Sequence, residues 1–150
     1  MDPLAGHSVS VAAIVVDADL RVLAIRRRDT GEWQPPGGVL EPDEEIEAGL
    51  VREVWEETGA DVVPLALTGL YKNVDQGILA LVFRCDVVGG ELRPTAEAAE
   101  VCWMTLPEVD AKMDEVFAVR VHDALEYIRR DLTGGPAVRH HDGRTLVGSR

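Results

Sequence analysis

Apolar residues recur along the chain with two different periods, and the period of each segment predicts its secondary structure. Segments rich in Val, Ile, Leu and Ala with no helical period indicate strands. The strands predicted on this basis span residues 8–17, 20–28, 61–73, 76–88 and 99–106. The first two strands are expected to form a hairpin across the turn at residues 17–19. Gly89 and Gly90 predict a second turn.

Two further segments carry apolar residues at helical spacing. Ile46, Leu50 and Val54 recur every four residues and predict a helix that buries one stripe. Pro42 and Asp43 favour a start for this helix, and Gly59 favours its end as a C-cap.

A second amphipathic helix is predicted over residues 115–131, after a short helix that starts at Pro107. Its apolar face consists of Phe117, Val121, Leu125 and Ile128. Strands and helices therefore alternate along one chain of 150 residues, which is long enough for a sizeable core. This order predicts a mixed α and β fold in a single domain.

The helix that begins near Pro42 is strongly acidic. The stretch from Gly37 to Ala60 has eight carboxylates and one cation, Arg52. The carboxylates are Glu41, Asp43, Glu44, Glu45, Glu47, Glu53, Glu56 and Glu57. Repulsion among so many like charges costs stability unless a positive group offsets it. The concentration of charge is the first indication of a site for a divalent cation.

Spacing within this helix makes the indication specific. Glu53, Glu56 and Glu57 stand at positions i, i+3 and i+4, so their carboxylates share one face. Three hard oxygen ligands suit Mg²⁺ or Mn²⁺. Arg52 follows Glu44 by two helical turns and is expected to pair with it. The alternative interpretation is a solvated acidic face with no ligand.

The whole segment resembles the Nudix box, G-x5-E-x7-R-E-U-x-E-E-x-G-U, where U is a bulky aliphatic residue. Every fixed letter is present, from Gly38 through Glu44, the residues 52–57 and Gly59. Ala60 departs from the pattern because it is small, which we interpret as a packing change. The chain is therefore similar to Nudix hydrolases, and the resemblance covers roughly residues 8–130.

The resemblance implies an α/β/α sandwich around a mixed sheet, with a Nudix domain over residues 1–133. It also implies that the Gly37 carbonyl and the carboxylates of Glu53, Glu56 and Glu57 bind Mg²⁺, or Mn²⁺ in its place. Glu53 or Glu57 is a candidate base for the attacking water. Many relatives take an extra carboxylate from the region of Glu97 and Glu100, and Glu100 is the residue that we favour as an added ligand or base. A solvated surface acid is the alternative for Glu100.

Three residues outside the acidic helix are candidates for substrate contact. Arg27 belongs to a cationic cluster, residues 26–28, which either attracts phosphate or balances the acidic helix. Trp33 precedes the glycine turn and either packs against the pocket wall or stacks on a base. Gly38 permits close approach of the backbone to a substrate.

The resemblance implies hydrolysis of a phosphoanhydride bond in a nucleoside diphosphate linked to another group. A nucleoside triphosphate, as for MutT-like enzymes, is the favoured substrate, and ADP-ribose or another nucleotide sugar is the alternative. A nucleotide-binding sensor without catalysis and an isomerase of the isopentenyl diphosphate type are the other classes considered. The isomerase class requires a catalytic cysteine, whereas Cys85 and Cys102 lie in apolar stretches and are expected to be buried.

Charge and composition limit the partners. The net charge of -12 argues against nucleic acid and anionic membranes, although a bound metal admits a small anionic substrate. Residues 1–6 lack the pattern of a signal peptide and no apolar run is long enough to span a membrane, so the cytoplasm is the expected location. A homodimer is compatible with the resemblance. The tail, residues 134–150, is expected either to form a hairpin around Asp142 and Gly143 or to be disordered.

Overall fold

The structure, a computed structural model, describes residues 6–129 and 134–148. Within these ranges the strands are β1 (Ser8–Val15), β2 (Val22–Arg27), β3 (Trp33–Gln34), β4 (Gly37–Val39), β5 (Ala60–Asn73), β6 (Ile78–Gly90), β7 (Ala98–Met104) and β8 (Ala137–His141). The helices are α1 (Ile46–Thr58), α2 (Leu106–Lys112) and α3 (Glu115–Arg129). None of these helices is both long and apolar enough to cross a membrane.

The strands form two sheets. One sheet has the order β4-β1-β6-β5-β8 and the other has the order β3-β2-β7. The pairs β1–β6 and β5–β8 are parallel, whereas the other paired strands are antiparallel. The mixed sheet implied by the resemblance is therefore confirmed.

Strand β1 lies between the two apolar cores. Its side chains alternate between faces, as successive residues of a strand must. Val11, Ala13 and Val15 pack in the core that contains Leu50 and Val54 of α1. Ala12 and Ile14 pack in the opposite core, with residues of α2 and α3. The central sheet is therefore covered by helices on both faces, which confirms the α/β/α sandwich.

Two sequence predictions about the first half of the chain are wrong in detail. The expected hairpin of β1 and β2 is limited to one bridge, Val16 to Val22, because β4 and β6 occupy the two edges of β1. Helix α1 begins at Ile46 instead of near Pro42, because residues 41–44 form a turn in which the Glu44 amide donates to the Glu41 carbonyl.

The apolar stripe of α1 is also shorter than predicted. Leu50 and Val54 are fully buried, and burial of each contributes on the order of 1.5–3 kcal/mol. Ile46 is 39% exposed because it stands in the first turn of the helix, at the edge of the core. Gly59 ends the helix in the left-handed conformation, with φ of 81°, as predicted.

The strands and helices after α1 match the predicted segments to within a few residues. Gly89 and Gly90 are not a separate turn but the last residues of β6, paired with the start of β5. Val121 of α3 is buried, and Phe117 and Leu125 pack partly buried against the same core. The side chain of Ile128, the predicted helix end at Asp131, the domain boundary at residue 133 and the first five residues lie outside the described residues.

The tail contributes a strand to the central sheet. Strand β8 pairs in parallel with β5, from Gly69 opposite Ala137 to Asn73 opposite His141. A turn over residues 142–145 follows, and His141 then bridges Leu146 in the antiparallel sense. Arg139 of β8 donates two hydrogen bonds of 2.7 Å to Asp123 of α3, which fastens the strand to the helix.

Candidate active site

Three carboxylates from two parts of the chain meet at the carboxyl-terminal half of α1. Glu53 and Glu57 lie one helical turn apart, and Glu97 lies in the loop before β7. One carboxylate oxygen of each lies within 4.8 Å of the other two. Glu57 is 4% exposed. This group, named the carboxylate cluster below, lines a cavity of about 690 Å³ together with Gly37 and Gly38.

The loop that carries Glu97 is fixed by hydrogen bonds to its neighbours. The Thr95 hydroxyl donates to the Glu57 carbonyl at 3.1 Å and accepts from the Ala98 amide. The Arg28 guanidinium donates to the Thr95 carbonyl, and the Arg28 amide donates to the Glu97 carbonyl. Because these bonds join the loop to α1 and to the end of β2, Glu97 is held beside Glu57.

Burial and like charge raise the pKa of Glu57 to about 8. Desolvation is the largest cause, followed by the negative charge of Glu53. The pKa of Glu53 is raised as well, mainly by burial. Glu57 Oε2 is buried without a hydrogen-bond partner. A buried acceptor without a partner, surrounded by two more carboxylates, fits a divalent cation that takes oxygen ligands.

Gly37 and Gly38 of strand β4 lie directly against this cluster. A Cβ atom on Gly38 would lie 2.3 Å from Glu53 Oε2, so the carboxylate occupies the space that a side chain would fill. A Cβ on Gly37 would lie 2.2 Å from the Val11 carbonyl oxygen of the neighbouring strand. The Gly37 amide lies close enough to the Glu57 carboxylate to lower its pKa against the larger effect of burial. Glycine at position 37 therefore allows β4 to lie close to the β1 backbone, and glycine at position 38 leaves room for the Glu53 carboxylate.

Arg52 and Glu44 form the pair that the spacing predicts. Two hydrogen bonds of 2.6 and 3.0 Å join them, and the Glu41 amide donates to Glu44 at 2.9 Å. The bond to Arg52 is the main reason that the pKa of Glu44 falls to about 2. Arg52 also contacts Glu53 at 3.0 Å, so the pair connects the turn before α1 to the carboxylate cluster.

The structure does not bring Glu56 and Glu100 to the carboxylate cluster. The Glu56 side chain is 49% exposed and pairs with Arg52 at 3.2 Å. Glu100 lies opposite Arg26 on the neighbouring strand and pairs with it at 3.3 Å. Glu97, the other acidic residue named for this region, lies in the cluster beside Glu53 and Glu57, where Glu100 was expected.

The candidate substrate residues have different environments. Arg27 lines the cavity, and its guanidinium donates two hydrogen bonds to Asp29. Trp33 packs against the core on the α2 side, with the Lys112 ammonium 5.7 Å from its ring centre. Gly38 lines the cavity beside Glu53.

A second cavity of about 360 Å³ adjoins the first, and both are lined by Arg27, Gln34, Gly37, Gly38 and Val39. Its far wall is formed by β5, α3 and β8, with the buried polar residues Asn73, Arg120 and His141. None of these three residues was predicted from the sequence as a substrate-binding residue. Arg120 lies four residues after Val116 and four before Ala124, on the apolar face of α3. A cation within an apolar stripe of a helix indicates a buried charge, so this position could have been predicted from the sequence.

Comparison with known proteins agrees with the resemblance. Residues 6–125 match the family model described as the NUDIX domain. A MutT-like protein of Streptomyces ambofaciens is 54% identical over 141 residues, which are 94% of this chain and 88% of that relative. An ADP-ribose pyrophosphatase of Methanocaldococcus jannaschii is 34% identical over 93 residues, which are 57% of this chain and 55% of that relative.

Solved structures share the fold. The MutT protein of Methanosarcina mazei Go1 superposes with a TM-score of 0.72 at 26% identity, over 85% of this chain and 99% of that protein. An ADP-ribose pyrophosphatase of Streptococcus suis superposes with the same TM-score of 0.72 at 22% identity, over 89% of this chain and 98% of that protein. The second likeness concerns the fold alone.

Proposed function

Because this chain belongs to the Nudix family and is a Nudix pyrophosphohydrolase, we propose that it hydrolyses a nucleoside triphosphate to the monophosphate and pyrophosphate. The observation that carries this proposal is the carboxylate cluster of Glu53, Glu57 and Glu97, which lines a cavity large enough for a polyphosphate.

Mg²⁺, or Mn²⁺ in its place, is the proposed cofactor. Glu53, Glu57 and Glu97 are the residues proposed to hold it, and the Gly37 carbonyl remains a candidate ligand from the resemblance. The bound cation supplies neutralisation of phosphate charge and a lowered pKa for water. Glu56 and Glu100 are not proposed as ligands of this cation, because neither belongs to the group of carboxylates whose oxygens lie within 4.8 Å of one another.

The chain's own residues have separate roles in this proposal. Arg27 lines both cavities and is proposed to contact a phosphate oxygen once substrate competes with Asp29. Water attacks a phosphorus atom, the anhydride P–O bond breaks, and a carboxylate of the cluster accepts the proton from water. Glu97 is our candidate for that base because it is the exposed member of the cluster, in a loop that can also contact solvent.

The choice of a triphosphate over ADP-ribose rests on the second cavity. Its volume of about 360 Å³ and its position beside Gly37 and Gly38 of β4 suit a single nucleoside unit attached to the phosphates. The 54% identical relative is described as MutT-like, which favours the same choice, whereas a more distant relative is described as an ADP-ribose pyrophosphatase. A cytoplasmic location and a homodimer stay predictions from the sequence.

A substrate panel tests this proposal. Nucleoside triphosphates, ADP-ribose, dinucleoside polyphosphates and sugar nucleotides are incubated with the protein and Mg²⁺ or Mn²⁺, and product release is measured. We expect triphosphates to give the highest kcat/KM, and Glu57→Gln to lower it by about 100-fold or more with the fold retained. Faster hydrolysis of ADP-ribose than of the triphosphates would contradict the proposed substrate and favour ADP-ribose in its place. Nucleotide binding without hydrolysis of any compound would favour a sensor.

A further inference from the structure

The second cavity contains a buried cation without a counterion. The Arg120 guanidinium is 7% exposed and lies 5.0 Å from the ring centre of Tyr71 and 5.2 Å from that of Phe117. Its Nε donates to the Val116 carbonyl at 3.2 Å. Among the described residues, no carboxylate pairs with Arg120 and no acceptor is hydrogen-bonded to its two terminal nitrogens. Burial lowers the pKa of Arg120 to about 10, so it is charged at neutral pH.

The nearest acid along α3 is occupied by other groups. Asp123 accepts a hydrogen bond of 2.7 Å from the Tyr71 hydroxyl and two hydrogen bonds of 2.7 Å from the Arg139 guanidinium. Arg139 is thus the counterion of Asp123, and it does not line the cavity. In the part of the chain that the structure describes, nothing therefore occupies the terminal nitrogens of Arg120, which are available to a ligand in the cavity that this residue lines.

Asn73 and His141 lie opposite one another on β5 and β8 and also present donors. The Asn73 Oδ1 accepts hydrogen bonds from the amides of Asp75 and Gln76, and no acceptor in residues 6–129 or 134–148 is hydrogen-bonded to its Nδ2. The His141 Nδ1 accepts the Gly143 amide at 3.0 Å, which places the ring hydrogen of the neutral imidazole on Nε2. Burial lowers the pKa of His141, which keeps this ring neutral at physiological pH.

The three buried polar side chains of this wall thus offer donors and no free acceptor. A ligand that fits them must present acceptors, because an unpaired buried donor costs the full penalty of its desolvation. The O6 and N7 atoms of a 6-oxopurine accept a bidentate arginine, whereas adenine presents an amino donor beside N7. A donor facing a donor leaves both unpaired.

We propose that Arg120, Asn73 and His141 select a 6-oxopurine base, as in guanine or hypoxanthine, over a 6-aminopurine. This inference rests on the proposed function only in placing the phosphates of the same nucleotide in the first cavity. His141 lies outside residues 6–125, which match the family model, so part of this selection comes from the tail of this chain.

Binding of IMP and AMP tests the inference without hydrolysis. Hypoxanthine and adenine share the purine ring and differ at the edge that the donors would contact. Calorimetry on the full chain, in EDTA, is expected to show IMP binding at least about tenfold more tightly than AMP. Arg120→Met is expected to reduce this preference to about twofold or less, through weaker binding of IMP. Arg144→Met, which removes an exposed arginine outside the cavity, is the control and retains the preference.

A purely structural role for Arg120 predicts a different pattern. Removal of a buried cation that lacks a counterion should leave the unfolding temperature unchanged or raise it, whereas a structural arginine would be required for stability. Asn73→Asp gives a second variant of nearly the same shape. It keeps the acceptor for the two loop amides but replaces the free donor with an oxygen, so it should also abolish the preference for IMP.

The outcomes separate this inference from the proposed function. Equal binding of IMP and AMP, a preference unchanged in both variants, or no binding of either compound overturns the inference. Any of these results leaves the hydrolysis panel to decide on the proposed function separately. Conversely, a preference that depends on Arg120 supports the inference even if the preferred phosphate chain is not a triphosphate.

Discussion

Glu57 is buried among like charges, and its electrostatic energy depends on the protons and cations around it. With a pKa of about 8, it holds a proton in the metal-free native protein at neutral pH, while the same carboxyl group in the unfolded chain ionises near its ordinary pKa of 4.5. A cation at the cluster requires the ionised form, so metal binding and proton release are coupled. The residue that best fits a ligand is thus also a source of instability without the ligand.

This coupling predicts how stability changes with pH in the metal-free protein. Between about pH 4.5 and pH 8 the native state binds more protons at Glu57 than the unfolded state does, so the free energy of unfolding falls as pH rises. The loss amounts to a few kcal/mol by pH 8. Glu57→Gln should remove this part of the slope and be more stable than the wild type at about pH 8, but not at about pH 5.

Denaturant unfolding in EDTA at several pH values measures the effect. Glu56→Gln is the matched control, because the Glu56 side chain is half exposed and lies outside the cluster. Parallel stability curves for the wild type and Glu57→Gln would contradict the assignment of a raised pKa to Glu57.

At the scale of elements, helix α1 and the loop before β7 must be joined for the cluster to form. Thr95 makes this connection through its hydroxyl, which bonds both to the end of α1 and to the start of β7. Arg28 fixes the loop from the other side. The helix alone places Glu53 and Glu57, whereas the third carboxylate depends on the conformation of the loop.

Thr95→Val therefore tests the role of the loop. The substitution keeps the shape of the side chain and removes both hydrogen bonds, at a cost of about 1–3 kcal/mol in stability. Because Glu97 loses its support, the affinity for Mn²⁺, measured by calorimetry, should fall at least severalfold. Thr30→Val in an exposed turn is the control and should retain that affinity. Unchanged Mn²⁺ affinity in Thr95→Val would mean that the loop does not position a ligand.

At the scale of the whole molecule, the spacing within one helix predicted Glu53 and Glu57 of the cluster, whereas Glu56 of the same helix lies outside it. Arg52, Glu53 and Glu57 have fixed spacings along α1, and Glu44 in the turn before α1 pairs with Arg52 as its spacing predicts. Glu97 could not be separated from Glu100 in this way, because the hydrogen bonds of Thr95 and Arg28 decide which one faces the helix. Strand β8 was missed as part of the sheet because parallel pairing with β5 joins segments more than 60 residues apart.

The same limit applies to the second cavity. Its donors come from β5, α3 and β8, which only the folded sheet brings together. The hydrophobic period predicted α3 correctly, but it identifies only the apolar residues of the buried face. The buried position of Arg120 was therefore not predicted. Long-range assembly therefore accounts for both the third carboxylate and the proposed base selectivity.

The most direct test of the site compares Mn²⁺ binding and triphosphate hydrolysis by Glu97→Gln and Glu100→Gln. Each substitution neutralises one carboxylate, and the two positions lie close together in the sequence. The variants therefore differ mainly in where the charge is removed. We expect Glu97→Gln to weaken Mn²⁺ binding by about tenfold or more and to lower kcat/KM, while Glu100→Gln stays close to the wild type. The reverse pattern, or no effect of Glu97→Gln on either quantity, would contradict a metal site built from Glu53, Glu57 and Glu97.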